Sequence, residues 1–180
     1  LAENRHALRR VDGRLHGPGG RWLVERAKRA TIVALGESHG TRQIPAIMSA
    51  LLDELQSSDE LDHLALEASP WTVQQMTESL RAGPAAYTSL IRTHPPAIPF
   101  YNLQPERDLV QTLVARSEKK HPLWGLDQIF AFATDLALDR LSDLAPSPAA
   151  RRAVARTRAI GQADSTTAPA LRGLPPSMPT

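Results

Sequence analysis

The chain of 180 residues is long enough for one domain with a real core, and its 42 % hydrophobic and 22 % charged content is ordinary for a globular protein. No stretch approaches the roughly 18 consecutive apolar residues of a membrane-crossing helix, and the absence of cysteine excludes disulfides, thiolate catalysis and cysteine-based zinc sites. The net charge of +2 divides unevenly: residues 1–30 carry eight Arg or Lys against three Asp or Glu, residues 31–144 eight against fifteen, and residues 145–180 five against one, with no aromatic residue in the basic tail, so the pattern reads as solvated ends rather than a nucleic-acid surface.

Residues 1–20 read as a loose lead-in that ends in the turn-rich "HGPGG". It is polar and lacks the apolar core of a signal peptide, and the chain opens on Leu1 rather than Met. A cytoplasmic protein and one exported after processing both stay open. "RWLVERAKRA" (21–30) predicts a short helix, and "TIVAL" (31–35) is an apolar run between turn signals, the pattern of a strand buried on both faces in a parallel sheet. From Gln43 the spacing turns helical through Ile44, Ile47, Met48, Leu51, Leu52 and Leu55, with Thr41 as N-cap and Pro45 in the first turn. "HLALE" (63–67) predicts the second strand, and helices follow from about Trp71 and over "AGPAAYTSLIR". "THPPAIPFYN" (93–102), with three prolines, is expected to be extended. Leu109, Val110, Leu113 and Val114 mark a helix, "PLWGLD" (122–127) the third strand, and Phe130 to Leu141 the helix after it.

Strands alternating with crossovers too long for hairpins predict an α/β fold, a parallel sheet flanked by helices, over residues 21–145. Residues 146–180 hold six prolines and read as a largely disordered tail, apart from a short helical pattern near 149–160.

All three predicted strands end in polar chemistry: Glu37, Ser38 and His39 after the first, Glu67 after the second, Asp127 and Gln128 after the third. In an open parallel sheet these ends share one edge, where ligands bind. Neighbouring strands would therefore bring one imidazole and three carboxylates to one crevice. A neutral imidazole accepts a proton from water, a carboxylate orients it, and N–H groups at a glycine turn stabilise an oxyanion, which outlines water-mediated ester hydrolysis. The same atoms suit a divalent metal, although only one histidine stands at a strand end. Singly, Glu37 and His39 also suit a structural turn, Glu67 a helix-capping acid and Asp127 an N-cap; those readings leave unexplained why every strand end carries an acid. Gly36-Glu37-Ser38-His39-Gly40 fits the nucleophile-elbow string G-x-S-x-G, yet the following histidines, His63, His94 and His121, fall at no strand end, so Ser38 is a weak nucleophile candidate.

Taken together, "ALGESHGT", "LALEASP", "IPFYN…E" and "LWGLDQ" resemble the erythromycin esterase-like group of the ChaN/Tiki superfamily over roughly residues 20–140. The resemblance implies His39 as the water-activating base, Glu37 and Glu67 as its acidic partners, and Asp127 as the acid of the later Gly-x-Asp strand. Gln128, Ser38, Arg42 and Tyr101 join Asp127 as expected substrate contacts. It implies a small-molecule ester or lactone substrate and no required cofactor. The short "GESHG" is closer to the ChaN type, which implies haem or divalent-metal binding as the alternative; the sequence offers no obvious axial-ligand pair for it, although Tyr101 and His94 lie close together in the extended segment. Family domains run longer and supply further histidines, so the chain is expected to hold the N-terminal part of such a domain, active or as an inactive remnant.

Overall fold

A computed structural model describes residues 5–36, 39–56, 61–98 and 100–167. The chain is mixed α/β and mostly helical: among the described residues, seven α-helices surround two two-stranded sheets, one antiparallel and one parallel. The antiparallel pair is a hairpin, β1 (Arg9–Val11) and β2 (Arg14–His16). Its turn, Asp12-Gly13, takes φ +48° and +81°, the left-handed pair that a two-residue hairpin loop requires. From Arg9 onward this corrects the reading of residues 1–20 as a loose lead-in. The Asp-Gly dipeptide between alternating residues is the local signal of that hairpin.

Helix α1 (Gly17–Arg29) follows at once, with proline in its first turn and Arg26, Lys28 and Arg29 in its last, where cations suit the helix dipole. Ala27 of α1 packs with Leu51 and Leu55 of α2 (Gln43–Gln56), together with Leu15 of β2, in a small apolar cluster. The adjoining side of α2 sends Leu52 into the main core.

The parallel pair is β3 (Leu64–Leu66) and β4 (Leu123–Gly125), in the register Leu64↔Leu123, Ala65↔Trp124, Leu66↔Gly125. Period-2 alternation divides its faces. Leu64, Leu66 and Leu123 are buried, whereas Ala65 is exposed and Trp124 half-exposed on the other side. The buried face meets α3 (Pro70–Ala82) through Val73 and Met76, and α5 (Gln104–Arg116) through Leu109, Val110 and Leu113. Tyr87 of α4 (Pro84–Thr93) and Leu136 of α6 (Thr134–Leu144) complete this core.

The run 31–35 departs from expectation. It forms no strand, and Ile32 is 83 % exposed, with Val33 and Leu35 exposed as well. A strand apolar on both faces needs a ladder partner and a layer over each side. Among the described residues, the helices that build the core lie against the Leu64–Leu66–Leu123 face, and the run has neither ladder nor cover. The proline segment also differs, since Pro95–Ala97 closes a 3-10 turn. The tail carries a long helix, α7 (Pro148–Thr167), well beyond the expected 149–160, and the disorder expected past it falls outside the described residues.

Candidate functional site

The carboxyl end of β3 is fixed by its neighbours. Ser69 N-caps α3, accepting the Thr72 N–H at 3.1 Å, with Pro70 at the first helical position. Across the ladder, Leu126 N–H donates to the Leu66 carbonyl and Asp127 N–H to the Ala68 carbonyl, both at 3.1 Å. Glu67 is held between these two bonds. Gly125 makes the close approach possible: a Cβ there would stand 2.5 Å from the Ser69 carbonyl carbon and 2.6 Å from the Ala68 oxygen.

His39 reaches this end from the turn before α2. Gly40, at φ +75°, takes the left-handed backbone that reverses the chain there. His39 Nε2 lies 3.6 Å from Glu67 Oε2, with the two side chains 42 % and 60 % exposed, so water reaches both groups. A pair so exposed is screened and adds little to stability. Its value is geometric, placing a proton acceptor against a carboxylate at a strand end.

Phe100 covers one face of the imidazole. The ring centroids are 3.9 Å apart and the planes differ by 7°. Its backbone is unusual, with φ +68° on a bulky side chain, a conformation that costs about 1–3 kcal/mol. Phe100 is the site residue that the sequence reading missed. Its signal was the aromatic pair after the prolines, from which Tyr101 was singled out instead. Tyr101 is 8 % exposed and packs in the main core, and its carbonyl accepts the Tyr87 hydroxyl at 3.0 Å.

The other expected site residues divide. Asp127 lies on the adjoining strand end, but its Oδ1 accepts the Gln128 N–H at 2.7 Å, so the carboxylate turns onto its own backbone. Gln128 is exposed. Arg42 is exposed too, and its carbonyl accepts the Ala46 N–H at 3.3 Å as α2 begins. Glu37 and Ser38 lie outside the described residues. The convergence visible among the described residues is therefore His39, Glu67 and Phe100.

The residues considered for haem do not fit that group. Tyr101 is buried, and His94, 11 % exposed, is engaged by Asp139 with Nε2 to Oδ2 at 3.1 Å. Among the described residues, no group of three or more His, Asp or Glu stands close enough to hold a metal ion. A cleft of about 330 Å³ between α6 and α7, lined by Ser142, Val154 and Arg158 among others, contains none of the expected site residues.

Fold and site thus define a helix-rich α/β protein with an open imidazole–carboxylate pair at the carboxyl end of a parallel strand. Compared with family models, curated proteins and solved structures, the chain matches none.

Proposed function

We propose that the chain is a hydrolase of small-molecule esters or lactones, of the erythromycin esterase-like kind, whose parallel strands belong to a helix-flanked sheet with the site at its carboxyl edge. The observation that carries this reading is the 3.6 Å approach of His39 Nε2 to Glu67 Oε2 at the end of β3. The neutral imidazole removes a proton from water as the water oxygen attacks the ester carbonyl carbon. Glu67 orients the ring and balances the imidazolium charge. The tetrahedral oxyanion then collapses, the alkoxide leaves, and the imidazolium returns the proton to it, giving an acid and an alcohol. No cofactor enters these steps. Catalytic hydrogen bonds often tighten only around substrate, so a 3.6 Å separation in the free protein suits the role.

The test is hydrolysis of a panel of esters and lactones by the intact protein and by His39→Ala. Loss of the general base is expected to lower kcat by about 10²- to 10⁴-fold. Equal rates in the two proteins overturn the reading.

A further inference from the structure

We infer that Phe100 is a positioning residue for His39: its ring, presented by a left-handed backbone turn, fixes the plane in which the imidazole faces Glu67. The inference rests on the reading of His39 as the base.

The turn is built to present that one side chain. Ile98 is fully buried and Tyr101 nearly so, both in the main core, while Phe100 between them is turned outward and only partly buried. The Leu103 N–H closes the turn on the Phe100 carbonyl at 2.8 Å, and the buried Tyr87 hydroxyl clamps the next carbonyl, that of Tyr101, at 3.0 Å. A glycine would follow φ +68° without steric cost, and an asparagine at little cost. What phenylalanine adds there is the ring contact with His39, face to face at 3.9 Å.

The run that leads to His39, residues 31–36, joins no ladder, so the strand that should seat the histidine does not hold it. The phenyl face lies against the plane of the imidazole ring, and the Glu67 carboxylate lies 3.6 Å from its Nε2. A plane-to-plane stack hinders rotation of the imidazole about its Cβ–Cγ bond, while leaving the ring edge to the carboxylate. Misplacement of a reacting group by about 1 Å can lower a rate a hundredfold, so a ring held this way bears on turnover without touching substrate.

The experiment compares wild type with Phe100→Leu, Phe100→Asn and Phe100→Tyr. Leu removes the aromatic face, Asn removes it while suiting the left-handed backbone, and Tyr keeps it. In ¹³C-histidine-labelled protein, the His39 Cε1–H resonance, assigned by its loss in His39→Gln, carries the upfield ring-current shift of a proton over a phenyl face. That shift is expected to vanish in the Leu and Asn variants and to persist in the Tyr variant. Ester hydrolysis is expected to follow it, kcat falling about tenfold or more in Leu and Asn with KM unchanged, and returning in Tyr. A His39 resonance unmoved by loss of the ring overturns the proposal, as does a lost shift with undiminished kcat. Should the wild-type protein hydrolyse none of the esters, the catalytic reading fails, and the NMR comparison still decides whether Phe100 fixes the imidazole.

Discussion

Tyr87 carries a buried hydroxyl whose removal can be followed through pH. It is 1 % exposed, its O–H donates to the Tyr101 carbonyl at 3.0 Å, and burial pushes its phenol far above the ordinary 10 despite the opposing charge of Arg107. The folded state therefore keeps a proton that the unfolded chain releases above pH 10. The stabilisation is complete below the unfolded value and declines as pH rises beyond it, with a limiting slope of about 1.4 kcal/mol per pH unit. Tyr87→Phe is expected to cost about 1 kcal/mol at neutral pH through the lost hydrogen bond. The gap between the two proteins should narrow from about pH 10 upward, measured by urea unfolding at several alkaline pH values. A gap that stays constant would show that the Tyr87 phenol ionises in the folded protein. Asp62 differs in kind: the Lys119 ammonium, hydrogen-bonded at 2.6 Å, holds its carboxyl below the usual range, but the group is fully exposed and anchors nothing.

At the scale of elements, the end of β4 is the tightest joint. It crosses the Ala68–Pro70 turn so closely that only a glycine fits at 125, and the obstructing atoms are backbone, which cannot swing aside. Gly125→Ala is expected to lower stability by about 1–3 kcal/mol as an overpacked contact, a fall in Tm of about 2–12 °C. Gly36→Ala is the matched comparison: among the described residues no atom stands within 4 Å of its added Cβ and its φ is not positive, so its Tm should be unchanged. Thermal melting of both decides it; equal melting temperatures would mean that the joint has slack. The same joint sets Glu67 beside the cap of α3, which is why the carboxylate faces His39 rather than serving as the cap itself. Ser69 takes that task.

Across the whole molecule, α2 links two apolar clusters, the large one around β3, β4, α3 and α5 and the small one against α1 and the hairpin. Met76, fully buried in the large cluster, is among its largest fully buried side chains. Met76→Ala is expected to cost about 2–5 kcal/mol, read as a lower midpoint in urea unfolding. A change below about 0.5 kcal/mol, the usual size for surface substitutions, would contradict that packing. The ends attach differently. Helix α7 meets α6, where Arg158 pairs with Asp139 and Asp139 in turn with His94, a charged seam at the rim. Most of the helices and both strands of the parallel pair were legible in the sequence, because 3.6- and 2-residue periodicities, prolines and capping residues act locally: Leu51 and Leu55, Leu109 and Leu113, Ser69 before Pro70. The approach of His39 to Glu67 was an expectation from their shared place at strand ends, and the geometry brings these two together. Two things were decided by tertiary structure alone. Whether 31–35 becomes a strand depends on a free ladder edge and a second layer of cover, which no composition of the run can supply. Which aromatic meets the histidine depends on a turn anchored at Ile98 and Tyr101 in the core, so the outward ring is that of Phe100, selected by burial of its neighbours and not by any pattern within the segment.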